Sequence, residues 1–122
     1  TFTPDLIFTH FHEDLNVDHQ LVAKATLAAF RPQTGSKFKI YSYYIPSSTD
    51  YNFFSSFDGF SYFEIGEKHT EAKNKALKIY DKEMRPYPHS RSYDNVNNLM
   101  KTWGCEVGVK MAEKFKLILE LT

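Results

Sequence analysis

Pro4-Asp5-Leu6-Ile7-Phe8-Thr9, then His10-Phe11-His12-Glu13-Asp14-Leu15-Asn16, then Val17-Asp18-His19-Gln20-Leu21 follow one another without interruption, and their order decides the fold class. Leu6-Ile7-Phe8 is the short apolar run expected of a strand buried on both faces in a parallel sheet. Residues 10–16 are polar and form the loop at its carboxyl end. From Val17 onward, Val17, Leu21, Ala25 and Ala28 give one apolar helical face, which Arg31-Pro32 ends before the turn Gln33-Thr34-Gly35-Ser36. Asp14 or Asn16 is placed to cap the helix start. Strand, polar loop and helix make the half-unit of an α/β fold, in which ligands collect at the carboxyl ends of the strands.

The same pattern continues downstream. Phe38–Tyr43 alternates polar and apolar groups as a second strand, followed by the loop Pro46-Ser47-Ser48-Thr49-Asp50; residues 60–65 read as a third strand. Between Glu67 and Met84, the residues Ala72, Ala76, Ile79 and Tyr80 share a helical stripe, with Glu71 and Lys75 able to pair on the wet face. Arg85-Pro86 stops that helix. Ser92 or Asp94 caps another, which carries Val96, Leu99, Met100 and Trp103 inward and meets Gly104 as its terminator. Residues 115–121 alternate as a last strand. No repeat, low-complexity tract or linker interrupts the series.

Size and composition exclude several classes. At 122 residues the chain suits one compact domain, and its 42% hydrophobic and 25% charged content is that of an ordinary globular protein. Apolar runs are too short to span a bilayer. Fifteen basic residues balance fifteen acidic ones, which removes the electrostatic footprint of a DNA or RNA binder. One cysteine, Cys105, and no basic-plus-apolar leader before Thr1 point to a reducing, cytoplasmic setting. Eleven Phe and eight Tyr crowd the chain. Between Phe38 and Phe63 they interleave with Ser, Thr and Asn, as packed strand and loop surface or as a sugar-stacking platform.

Chemistry concentrates in residues 10–19, with three imidazoles, three carboxylates and a carboxamide in ten positions. Such groups hold borderline divalent ions, and a hydrolytic zinc site keeps one position open for water. His19 falls in the first helical turn, where the helix dipole disfavours the imidazolium and leaves a neutral ring able to coordinate; a solvated or capping histidine is the alternative. Asp18 reads either as a carboxylate that orients a neighbour or as an acidic residue favoured by the dipole, while Asp14 and Asn16 divide between site and cap. No HExxH, phosphate loop or nucleophile elbow is present. A second polar knot, Arg85-Pro86-Tyr87-Pro88-His89-Ser90-Arg91-Ser92, offers two guanidinium groups and an imidazole from a proline-stiffened loop, for an anion or sugar contact or as a solvated connection.

Four stretches carry a family resemblance. Phe8-Thr9-His10 with Asp14-Leu15-Asn16-Val17-Asp18-His19 resembles the second motif of the PIG-L/LmbE-like metal-dependent de-N-acetylases. Tyr44-Ile45-Pro46-Ser47-Ser48-Thr49, Pro88-His89-Ser90-Arg91-Ser92, and Gly104-Cys105-Glu106-Val107-Gly108 with Ala112-Glu113-Lys114-Phe115 resemble, in order, its later strand-and-loop, Pro-His-x-Arg-Ser and closing stretches. The resemblance implies a Rossmann-like α/β domain, its mostly parallel sheet flanked by helices, that removes an N-acetyl group from an amino sugar or sugar conjugate with zinc or another divalent metal. By the same resemblance His19 is the metal ligand, Asp18 tunes the site, and Asn16 stands where some relatives have a histidine that steadies the oxyanion. Arg91 with His89 holds substrate or a neighbouring subunit.

The family's first motif, Ala-His-Pro-Asp-Asp-Glu, which supplies the other protein ligands and the general base, has no counterpart here. Residues 1–122 therefore read as the carboxyl-terminal part of a single LmbE-like deacetylase domain, with a sheet incomplete on its amino-terminal side. Expected consequences are an inactive isolated chain, exposed apolar edges, and a homo-oligomer or partner chain that supplies the missing half. The alternatives are a non-catalytic sugar-binding or assembly module and a hydrolase of another amide.

Overall fold

A computed structural model describes residues 2–122. In chain order the elements are β1 (Leu6–His10), α1 (Val17–Ala29), β2 (Phe38–Tyr43), β3 (Ser61–Glu64), α2 (Glu67–Ile79), a 3₁₀ turn (Asp81–Glu83), α3 (Tyr93–Glu106) and β4 (Ala112–Leu121). The fold class is α/β, and one four-stranded sheet runs in the order β1-β2-β4-β3. β1 and β2 are parallel, with Ile7 opposite Ile40, because α1 provides the crossover that a parallel pair needs. β4 lies antiparallel to β2, with a register shift between Ile40 and Tyr41. The sheet is therefore mixed, and the expectation of a mostly parallel one is corrected. Among the described residues no helix is long and apolar enough to cross a membrane.

The chain divides into two compact units. The first runs to Ser61 and takes in Phe115–Thr122; the second is Tyr62–Lys114. In the first, Ile7, Phe38 and Ile40 form the buried core, with Phe30, Ile118, Leu119 and Leu121 packed against it. β1 buries only alternate residues. Ile7 and Thr9 face inward, whereas Leu6 and Phe8 each remain 42% exposed, so the strand is covered on one face and not on both as its apolar run suggests. On the half-open face the ring of Phe8 meets Tyr41 at 5.7 Å and Phe115 at 5.1 Å.

Helix α1 forms where expected but turns its other side inward. Val17 and Leu21 are 62% and 58% exposed, and the residues that face the protein are His19, Gln20, Ala23, Thr26 and Phe30. That spacing is also helical, and polar contacts hold it in place. The Thr26 hydroxyl pairs with that of Thr9 at 2.9 Å, and Gln20 Nε2 donates to the Asp14 carbonyl at 2.7 Å. Small Ala23 lets the helix approach.

In the second unit α2 buries no residue fully. Its partly covered side is Thr70, Lys73, Asn74 and Leu77, so the stripe that includes Ile79 and Tyr80 faces water instead. Lys73 pairs with Glu113, and the amides of Asn74 and Asn97 exchange hydrogen bonds at 3.3 Å. Helix α3 starts as its sequence indicates: the Ser92 hydroxyl accepts from the Asn95 N–H at 3.0 Å, and Val96 and Met100 are buried. Gly104 is not its terminator. The helix continues to Glu106 and stops at Gly108, whose φ of +77° follows the bond from Val109 N–H to the Gly104 carbonyl at 2.9 Å, the 6→1 contact of a Schellman stop.

Candidate functional site

Strand β1 delivers His10 to the carboxyl end of the sheet, and the chain then folds back over buried Phe11 to start α1 six residues later. The return is a tight turn, closed by Asp14 N–H to the Phe11 carbonyl at 3.1 Å. Asn16 is the helix cap. Its Oδ1 accepts from Asp18 N–H at 2.9 Å, and both side chains stand in the exposed first turn. Among the residues expected to act in chemistry, the structure thus shows Asn16 and Asp18 in their capping and dipole-favoured positions.

His19 sits differently. One turn into the helix, it faces inward, and its Nδ1 lies 3.0 Å from Oδ2 of Asp14, a carboxylate with no solvent exposure. The other oxygen of Asp14 accepts from the Thr49 hydroxyl at 2.7 Å. Thr49 belongs to the loop after β2, which knots on itself. Thr49 N–H reaches the Ile45 carbonyl at 2.9 Å, Ile45 N–H reaches Thr49 Oγ1 at 2.8 Å, and Ser47 takes a positive φ of 68°. The same loop receives Leu15 N–H on the Ser48 carbonyl at 3.0 Å. Asn52, further along that loop, donates its side-chain amide to the Glu13 carbonyl, so two stretches more than thirty residues apart are laced together by backbone and side-chain bonds.

The ring of His10 lies face to face with that of His19, centroids 4.1 Å apart and planes within 4°. Its Nε2 is 3.5 Å from the Tyr43 hydroxyl, and its Nδ1 is buried with no hydrogen-bond partner. Burial, followed by the like charge of His19, holds the His10 imidazole below its ordinary pKa against the opposing pull of Asp14. The Tyr43 phenol is pushed up, by burial first and then by the Asp14 carboxylate. Beside His10 a cavity of about 190 Å³ opens between α1 and the sheet, lined by Thr9, His12, Ala23, Leu27, Ser42 and Ile118.

His10, Asp14 and His19 each offer a ligand atom, all within 4.8 Å of one another, and such a group could hold a metal ion. Its donor set favours one member. Both oxygens of Asp14 already have hydrogen-bond partners, Thr49 and His19. A ring nitrogen binds a cation along its in-plane lone pair, and two facing rings hold their lone pairs in parallel planes. As the rings stand, an ion in the plane of one lies outside the plane of the other, so sharing it requires one ring to turn. His19, with Nδ1 tied to a carboxylate, has the arrangement in which ligating histidines are commonly found.

Arg91 and His89 belong to the second unit. There the His89 Nδ1 accepts from Arg91 N–H at 3.0 Å, and the Arg91 guanidinium reaches the carbonyl and carboxylate of Glu83 at 3.4 Å each. The loop contains a cis Tyr87–Pro88 bond and is closed by Arg85 N–H to the Arg91 carbonyl at 3.0 Å. What sequence reasoning missed is the pairing of Asp14 with Thr49. The available signal was a lone carboxylate five residues before His19 and a hydroxyl in a turn-rich loop, neither of which reports the other's position. Comparison of the chain with protein-family models, curated proteins and solved structures returned no match.

Proposed function

We propose that this chain carries the His19 part of a metal-dependent hydrolase centre of the PIG-L/LmbE-like kind, which removes an N-acetyl group from an amino sugar or sugar conjugate when the domain is complete. The observation that supports this reading best is the meeting of two of the four resembling stretches at one point: the Asp14-to-His19 string and the Pro-Ser-Ser-Thr loop join through Thr49 and Asp14 behind His19. A Rossmann-like sheet would then be completed by further strands, and the remaining ligands and the general base by another segment or a partner chain.

Zinc or another divalent ion bound at the second ring nitrogen of His19 would polarise the acetamide carbonyl and acidify a water molecule. The residues of this chain do the rest of the local work. Asp14 fixes the His19 ring against rotation. Asn16 uses its side-chain oxygen for the cap, which leaves its amide hydrogens to donate to a developing oxyanion. Asp18, beside His19 in the exposed first turn, adds negative charge near the ion. His10, kept neutral by burial, adds no competing positive charge.

The test is deacetylation of N-acetylglucosamine conjugates by the intact protein, followed as acetate release. His19→Ala should abolish it, and undiminished activity would refute the reading. A second reading, a sugar-binding module without chemistry, is favoured by the stacked Tyr51 and Phe53 rings, 6.2 Å apart with Phe53 90% exposed. It predicts sugar binding that survives chelation of metal.

A further inference from the structure

We infer that Thr49 and Asp14 are positioning residues that set the tautomer of His19, so that its Nδ1 carries the proton and its Nε2 presents the lone pair. The role rests on the proposed reading of His19 as a metal ligand, but the order of protons is argued from hydrogen bonds alone. A threonine hydroxyl has one hydrogen. Thr49 Oγ1 accepts from the Ile45 N–H at 2.8 Å, and because an ionised carboxylate only accepts, the hydroxyl hydrogen goes to Asp14 Oδ1 at 2.7 Å. A carboxylate that accepts there accepts at its other oxygen too, and the atom 3.0 Å from Oδ2 is His19 Nδ1, which must then donate. In a neutral imidazole the remaining nitrogen, Nε2, is bare.

In the chain Ile45 N–H, Thr49 O–H, Asp14, His19, the carboxylate of Asp14, which only accepts, sets the direction of the bonds on both of its sides, and Thr49 holds that carboxylate in place. Backbone geometry secures both ends. Thr49 is held by its own N–H to the Ile45 carbonyl, and Asp14 by its N–H to Phe11 and by Gln20 on its carbonyl. A hydroxyl in the Pro-Ser-Ser-Thr loop thereby reaches the site without touching any ligand. Serine can replace threonine in this role, and valine, of the same shape, cannot.

The experiment uses the full 122-residue chain with nitrogen-labelled histidine, at one pH where imidazoles are neutral. Ring-nitrogen NMR should show His19 with a protonated Nδ1 and a bare Nε2, the same pattern in Thr49→Ser, and mixed tautomers in Asp14→Asn, whose amide can donate to Nδ1 as well as accept from it. Zinc alone, titrated against a competing chelator dye and followed at the His19 resonances, should bind about 10- to 100-fold more weakly to Thr49→Val than to Thr49→Ser. A wild-type His19 protonated at Nε2 overturns the inference, and needs no variant to fold. So does Asp14→Asn with unchanged tautomer, or Thr49→Val with zinc affinity equal to that of Thr49→Ser. If the tautomer responds as expected while zinc never perturbs His19, the relay stands and the metal-ligand reading falls.

Discussion

Replacing Gly104 by alanine sets two effects of known size against each other. Gly104 lies inside α3, where alanine is favoured over glycine by about 1 kcal/mol through helix propensity. A Cβ there would stand 2.6 Å from the Val109 carbonyl oxygen and 2.8 Å from both the carbonyl carbon and oxygen of Lys110. All three are backbone atoms, so no rotamer relieves the overlap, and the segment that must move also carries the 2.9 Å bond from Val109 N–H to Gly104. Overpacking that forces backbone shifts costs about 1 to 3 kcal/mol or more. Three backbone overlaps put that cost in its upper part, about 2 to 3 kcal/mol, so net of the propensity gain Gly104→Ala should destabilise by about 1 to 2 kcal/mol. With a urea slope of about 2 kcal/mol/M, the unfolding midpoint should fall by roughly 0.5 to 1 M. Gly108 is the control, since it has open space and a left-handed φ that asparagine also adopts, so Gly108→Asn should fall much less. A midpoint for Gly104→Ala equal to or above wild type would refute the steric account.

Three further outcomes are expected. The His10 imidazole should titrate below its ordinary value of 6.5 by NMR. Because the unfolded chain then takes up the proton first, this group's contribution to stability is complete above pH 6.5 and is lost as pH falls below it; a midpoint at or above 6.5 would count against the buried, stacked placement. Ile40, with no exposure at the centre of β2, should cost about 2–5 kcal/mol on truncation to alanine and about 0.5–1.5 as Ile40→Val, measured by urea unfolding, and equal losses would argue against its core position. On α1, Leu21→Lys should change stability by less than about 0.5 kcal/mol, whereas Ala23→Leu should be clearly destabilising by the same assay. The opposite ranking would mean that the helix packs by its apolar stripe.

Local signals were legible in the sequence to different depths. β2 occupies the predicted residues because its alternation is a strand period, with Phe38, Ile40 and Ser42 buried on one face and Tyr41 on the other. Ser92 caps α3 because a hydroxyl before a helical run satisfies an orphan N–H, a contact within three residues. His19 could be singled out because its residue type and its first-turn position act together. The inward faces of α1 and α2 could not be read, since apolar periodicity locates a stripe but not its partner. In α1 a hydrogen bond to β1, and in α2 a hydrogen bond and an ion pair to residues farther along the chain, hold another face. The mixed sheet was hidden for the same reason, because alternation in β4 says nothing of its direction.

The inverted face of α1 and the candidate site are one fact. In a helix each residue advances about 100°, so turning the stripe of Val17 and Leu21 onto the sheet would carry His19, Gln20, Ala23 and Thr26 toward solvent. The Asp14–His19 pair and the Thr9–Thr26 bond would be lost together. Burying Val17 and Leu21 would be worth about 1.5–3 kcal/mol each by transfer. The described arrangement forgoes that and instead seats a buried carboxylate whose two oxygens both find donors, an outcome favoured because a buried charge left unpaired costs more than an exposed leucine. Asp14 thus decides which side of α1 faces the sheet, and through that choice it brings an imidazole to the carboxyl end of β1.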